Sequence, residues 1–258
     1  MTKTNIYYIY ILSVIISHLP LKSVCADKIR AKLSVDLPVL TLSGAILGGI
    51  HLGKATSHTQ LHTRSFAPES SLDKLAPITL NSNAKLASDY LLYTALGVGV
   101  GTQLYVGRAH WLDHLIVCLE VNAVNGLLTE FTKYSIRRPR PLTRTQGVQK
   151  IDDELSFFSG HTSFVAALTF STAQVMVITQ NLSFKQKFSL YSAAFLMSTA
   201  TGILRVQAGK HYPTDVIVGA LVGASVGILI PELHRQRKVG LTTQHTEQGH
   251  FLALYTHW

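Results

Sequence analysis

Residues 205–215 read RVQAGKHYPTD and stand between two apolar stretches, at roughly 188–204 and 213–231. Each flank approaches the ~17 to 25 residues that cross a bilayer as a helix. An arginine, a histidine and an aspartate fall here at intervals of six and four. Ionisable groups at the junction of two apolar segments are costly to bury and rarely idle, so their setting governs how the rest of the chain is read.

Working outward, four more apolar stretches precede this one, at roughly 37–53, 89–107, 111–131 and 162–180. Hydrophobic residues make up 47% of the 258, and charged residues only 14%, well below the roughly 25% of an average soluble protein. No solenoid or propeller period is present. The pattern predicts an all-α helical bundle, membrane-embedded, with five or six apolar helices and the active site at one end. Glycines recur at small-xxx-small spacing at Gly44/Gly48, Gly97/Gly101 and Gly219/Gly223/Gly227, which predicts close helix approach in the bundle. The third stretch carries Asp113, Glu120, Asn122, Asn125 and Glu130. Those groups must face the bundle interior, or else the protein is a soluble helical domain.

The first residues read as an export signal: Lys3, an apolar run, then Val24 and Ala26 where a signal peptidase needs small residues. Four regions follow: 1–26 signal peptide, 27–88 N-terminal apolar segment and polar loop, 89–238 core bundle, 239–258 tail. Cleavage after Ala26 removes Cys25 and leaves Cys118 alone, a buried small hydrophobe with no disulfide partner. The formal charge of +9 becomes +7, because Lys3 and Lys22 leave with the leader and no acid does. A basic balance suits anionic phosphates or a lipid surface; nucleic acid is not expected, since no binding motif appears.

Orientation follows from parity. With the leader removed outside and all six stretches crossing, the loops holding KYSIRRPRP and GKHYPTD fall in the cytoplasm, and the HRQRK tail falls outside against the positive-inside rule. With 37–53 at the surface, or packed without crossing, the remaining five crossings put those loops outside and the basic tail inside. The second arrangement is the expected one: bacterial inner membrane, site facing the periplasm.

Three polar islands end the apolar stretches: KYSIRRPRP at 133–141, FSGHTS at 158–163, and RVQAGKHYPTD. Together they offer Lys133, Arg140, Arg205, and also Arg137 and Arg138, as cations, with His161, His211 and Asp215 as proton or phosphoryl handling groups. Arginines are fork donors suited to tetrahedral oxyanions. Ser159 can cap the helix that follows it, leaving the N–H groups of Ser159, Gly160 and His161 to face an anion. His211 and Asp215 are four apart, so the carboxylate can hold one imidazole nitrogen protonated and leave the other free.

In these islands the chain resembles the type 2 phosphatidic acid phosphatase superfamily. Lys133 is followed after six residues by Arg140-Pro141, which selects Arg140 over the Arg138-Pro139 pair. Ser159, Gly160 and His161 match the second block, with Phe158 in place of a proline; Arg205, His211 and Asp215 match the third, with Leu204 in place of a serine. The resemblance implies a lipid phosphate or other phosphate ester as substrate. It also implies His211 as nucleophile, Asp215 as its orienting group, and His161 as general acid and base. Phosphate is then bound by Lys133, Arg140, Arg205, Ser159 and Gly160. No cofactor is expected, and no metal, since these histidines lack a spaced ligand set. Remaining alternatives are a soluble periplasmic acid phosphatase, a vanadate-dependent haloperoxidase, and a non-catalytic phospholipid-binding protein.

Overall fold

The structure, a computed structural model, describes residues 27–56 and 70–236, and the backbone of 239–246 and 249–256. The signal-peptide reading, and with it Cys25, His58 and His62, lies outside the described residues.

Six long helices form, one on each apolar stretch: α1 (Leu33–Thr56), α2 (Ser82–Val106), α3 (Trp111–Ile136), α4 (Gly160–Thr179), α5 (Phe184–Gln207) and α6 (Pro213–Leu233). Their starts follow local chemistry. Asn81 accepts from the Ala84 N–H to begin α2, and Ser183 and Gln186 close a capping box at α5. Pro213 opens α6, where its missing N–H costs nothing. The 88/89 boundary expected from sequence falls inside α2, which begins at Ser82. The apolar run begins at 89, whereas the helix begins earlier, at its polar cap.

Consecutive helices run antiparallel, and α4 is the central one, packed by α2, α3, α5 and α6, with its tightest contact to α6. The glycine stripe of α6 makes that contact. A Cβ at Gly223 would stand 2.1 Å from the Ser163 carbonyl oxygen, and one at Gly219 would stand 2.7 Å from that of Ser159. The stripes of α1 and α2 do not act this way: nothing lies within 4 Å of a Cβ placed at Gly44, Gly48, Gly97 or Gly101. In α2 it is Gly99 that meets a neighbour, Thr172 of α4. Spacing alone does not reveal which face of a helix meets a partner.

The polar residues of α3 turn inward as required. Asn125 accepts a 2.6 Å bond from the Ser163 hydroxyl, Glu120 reaches His234, and Asp113 accepts from the Ala31 N–H. The Cys118 thiol is buried and free. The outer surface is apolar: Leu42, Tyr93, Phe131, Phe195 and Leu221 are all exposed on five different helices. Helices α1, α3, α4 and α6 are long and apolar enough to cross a membrane. An apolar girdle of this extent fits a lipid solvent and not water, which removes the soluble periplasmic alternative.

Helix α1 corrects the expected topology. Residues Lys28–Ile29 (β1) pair antiparallel with Arg235–Gln236 (β2) just beyond α6, and Asp36 meets His234. At its other end, α1 contributes Ile46, Ile50 and Gly53 to a groove shared with Leu127, Phe131 and Tyr134 of α3. Its 24 residues span about 36 Å. It therefore runs the length of the bundle and does not lie at its surface edge-on. The segment before α1 and the segment after α6 share one end; the polar islands share the other. The tail, uninterpreted in sequence, forms a hairpin of Val239–Thr246 (β3) and Gly249–Thr256 (β4).

Candidate active site

The three islands come together at the end of the bundle where α3 and α5 finish and α4 and α6 begin. His211, in the short connection before α6, is buried, and its Nδ1 lies 2.7 Å from the Ser156 carbonyl oxygen. A carbonyl only accepts, so Nδ1 carries the proton and Nε2 presents its lone pair. Arg140 Nη1 stands 3.5 Å from that Nε2 and also donates to the Lys210 carbonyl. Burial, and then the charges of Arg140, Arg205 and Lys133, hold the imidazole well below its ordinary pKa. His211 is therefore neutral in a strongly positive field.

Asp215 does not make the contact the sequence assigned to it. Its carboxylate is 3.6 Å from His211 Nδ1, while the primary bond to that nitrogen goes to the Ser156 carbonyl. Asp215 instead accepts from the Ser156 hydroxyl at 2.6 Å, the Tyr212 N–H at 2.9 Å and Arg138 Nη1 at 2.5 Å. It thus fixes the residue that fixes the histidine. Four residues of separation bring the two side chains near each other, but a backbone carbonyl invisible to any motif lies closer.

Arg138 is structural in this arrangement. Its guanidinium lies 4.1 Å over the Tyr212 ring, bridges Asp215 to Asp73, and bonds Thr214. Burial pulls its pKa down, yet the Asp215 and Asp73 carboxylates outweigh this and raise it. Arg137 pairs with Glu154 at 2.8 Å. Arg140 is the arginine of this loop that meets His211, which is the choice the spacing made. It is gripped by both oxygens of Asp152 at 3.0 Å. Burial raises the Asp152 pKa, but Arg140 and Lys133 more than offset this and lower it.

His161 stands on the first turn of α4, with Nε2 2.9 Å from Asp89 on α2. Asp89 also lies 3.6 Å from Arg205 and 3.3 Å from Lys85. Arg205 and Lys133 both exert their field on His161 and on His211, so the two rings share a pair of cations. Lys133 lies over the start of α4: its Nζ would be 3.4 Å from a Cβ at Gly160. Ser159 departs from expectation. Its N–H donates to the Asp215 carbonyl and its hydroxyl bonds Thr162, so it neither caps α4 through its side chain nor offers its amide to an anion. The N–H groups of Gly160 and His161 remain at the positive helix end.

A neutral imidazole aimed into a lysine–arginine cluster, with a second imidazole beside the same cluster, is an arrangement for phosphoryl chemistry. The sequence profile of the PAP2 superfamily matches residues 116–238. Phosphatidylglycerophosphatase B of Bacillus subtilis is 31% identical over 144 residues, 56% of this chain and 68% of that protein. The chain belongs to the PAP2 superfamily. As a PAP2-type phosphatase it is a phosphoric monoester hydrolase. Among solved structures, a transmembrane PAP2-type phosphatidylglycerolphosphate phosphatase from Bacillus subtilis aligns with a TM-score of 0.50 and 21% identity, covering 77% of this chain and 94% of that one. LpxE of Aquifex aeolicus aligns with a TM-score of 0.43 and 24% identity, over 65% of this chain and 97% of its own. The PAP2 bundle here is membrane-embedded, as the girdle requires.

Four residues near the PAP2 motifs escaped sequence reasoning: Asp73, Asp89, Asp152 and Ser156. Asp89 alone left a trace, as an acid at the very start of an apolar stretch.

Proposed function

We propose that this PAP2 enzyme hydrolyses phosphate monoesters or diphosphates of membrane lipids through a phosphohistidine on His211, without a metal. The observation that carries the reading is the His211 tautomer: Nδ1–H on the Ser156 carbonyl turns the Nε2 lone pair towards Arg140. Nε2 attacks phosphorus as the ester P–O bond breaks, and His161 gives its proton to the leaving alkoxide. Neutral His161 then takes a proton from water, which attacks phosphorus, breaks the N–P bond and releases inorganic phosphate. Asp89 holds the His161 ring in place throughout. Lys133, Arg140 and Arg205 neutralise the equatorial oxygens, an electrostatic contribution usually worth several kcal/mol.

A lipid substrate is supported by the groove of about 800 Å³ between α1 and α3. It is walled by Ile46, Leu127 and Phe131, and it reaches the site through Glu130, which stands 3.8 Å from Lys133 Nζ. An acyl chain fits such a wall while its phosphate reaches the cations. The name of the Bacillus relative points the same way.

The site faces the periplasm in this proposal. That orientation puts Lys185, Lys187 and Arg235, the basic groups flanking α5 and α6 at the opposite end, on the cytoplasmic side as basic flanks are expected to lie; the site end is basic as well, and there Lys133, Arg140 and Arg205 serve the anion. Because β1 pairs with β2, residue 28 then lies on the cytoplasmic side as well. An outward site and cleavage after Ala26 by an outward peptidase are therefore mutually exclusive, and the proposal keeps the first. Cysteine labelling at position 150 and position 236 in intact cells distinguishes the two orientations.

The direct test is phosphate release by the purified enzyme from a panel of lipid and soluble phosphate esters, with chelator present. Turnover should persist with chelator and prefer lipid substrates. It should fall roughly 10²-fold in His161→Ala, the usual size of an acid–base contribution, and further in His211→Ala. Full activity in His211→Ala would remove the phosphohistidine.

A further inference from the structure

At the end of the bundle opposite the phosphatase site, Asp36 of α1, Glu120 of α3 and His234 just past α6 place their donor atoms within 4.8 Å of one another, all three residues buried. His234 Nδ1 lies 2.9 Å from the Ile230 carbonyl oxygen, so Nδ1 holds the proton and Nε2 is turned to the two acids. Nε2 is 3.2 Å from Asp36 Oδ1 and 3.2 Å from Glu120 Oε2. Yet Glu120 Oε2 has no hydrogen-bond partner among the described residues, although Glu120 is only 9% exposed. Among the described residues no lysine or arginine pairs with either acid: Arg30 goes to Asp113, and Arg235 goes to Asp27 and Glu232.

We propose that Asp36, Glu120 and His234 form a structural site for one divalent transition-metal cation, zinc being the best fit, that ties α1 to α3 and α6. Charge is the first reason. The set brings two buried carboxyl groups together with no lysine or arginine paired to either among the described residues, and a divalent cation would supply that partner. Geometry is the second. Zinc ligand distances of about 2.1 Å give a tetrahedral edge of about 3.4 Å, and the two nitrogen–oxygen separations are 3.2 Å each. The third is the carbonyl behind Nδ1, the usual device that fixes a metal-binding imidazole in its tautomer. Magnesium and calcium prefer six or more oxygen donors, so a set of one nitrogen and two carboxylates favours zinc.

The site has a physical use. Helix α1 is largely exposed, and near its start these groups join the β1–β2 pairing, the Arg30 and Ala31 contacts to Asp113 and the buried Ile29 in holding it to the bundle. A bound cation would secure that end without touching the chemistry at the other.

Untagged full-length enzyme, stripped with chelator and dialysed against zinc, should retain about one zinc per chain, and its melting temperature should rise by several degrees. Magnesium at the same concentration should leave it unchanged. Cobalt in place of zinc should give a visible band of tetrahedral strength in the wild type, a readout that needs no variant. Glu120→Gln and His234→Ala should lose both the retained metal and the melting shift, while His211→Ala keeps them. Initial rates of phosphate release well below the melting temperature should be equal in wild type and His234→Ala, which separates this site from the phosphatase reading. No retained zinc and no cobalt band, or uptake that survives both Glu120→Gln and His234→Ala, would overturn the proposal.

Discussion

Helix α6 has a histidine at each end, and the two are anchored alike and surrounded oppositely. His211 puts Nδ1 on the Ser156 carbonyl, and His234 puts Nδ1 on the Ile230 carbonyl. Each therefore turns Nε2 away from its anchor. The first meets Arg140 in the field of Arg205 and Lys133; the second meets Asp36 and Glu120. On the two proposals, an imidazole anchored in the same way serves as a phosphate nucleophile among cations and as a cation ligand among carboxylates. What differs is the charge that three neighbouring helices bring, and nothing in the histidine itself.

The largest test of the contrast is to remove each ring. His211→Ala deletes the proposed covalent nucleophile and should lower kcat by on the order of 10⁴-fold or more, as in other enzymes whose nucleophile is removed. His234→Ala should leave kcat where it was. Equal losses in a steady-state assay of the two variants would mean that the ends are not independent.

The next test concerns how each end disposes of its buried charge. At the site end, Arg138 bridges both Asp73 and Asp215. Arg138→Leu strands two buried carboxylates, and breaking such pairs costs about 3–5 kcal/mol. Denaturation should show a loss of that size, together with a fall in activity because Asp215 supports Ser156. Gly223→Ala follows at about 1–3 kcal/mol, because its Cβ would enter the Ser163 carbonyl of α4. Gly101→Ala, with open space around it, should be neutral.

The two ends were not equally legible in the sequence. The site end was announced by three spaced blocks, so Lys133, Arg140, His161, Arg205, His211 and Asp215 could be named by position. Their partners could not. Asp89 is 72 residues from His161, and Ser156 meets His211 through a backbone atom that any residue type carries. The far end was mute because Asp36, Glu120 and His234 lie in three apolar or basic stretches, and His234 reads there as one member of a membrane-flanking cluster. The six helices were legible from apolar length. The course of α1 was not, since crossing and lying flat leave the same composition and only the β1–β2 pairing decides.

Acid should separate the ends more gently. His211 has a depressed pKa in the folded state, so below the ordinary value near 6.5 the unfolded chain binds a proton that the folded one refuses. Its contribution to stability is full above that value and is lost as pH falls from there towards the folded pKa. A bound phosphate offsets the cations that depress it, so the acid limb of kcat should lie at higher pH than that of kcat/KM. Coincident limbs would mean that Arg140, Arg205 and Lys133 do not govern His211.

The smallest effect should come from Asp152, which holds Arg140 with both carboxylate oxygens but is itself 53% exposed. An arriving phosphate competes with this carboxylate for the guanidinium. Arg140 would not be lost without it, because Arg140 Nε also bonds the Asp152 backbone carbonyl at 2.8 Å, and Nη1 bonds that of Lys210. Exposed ion pairs are worth about 1 kcal/mol or less, so Asp152→Asn should tighten inhibition by inorganic phosphate by no more than a few-fold, with kcat unchanged. A weaker affinity instead would show that the carboxylate aims Arg140 and does not merely occupy it. The site end would then depend on a buried balance of charge, as the His234 end does.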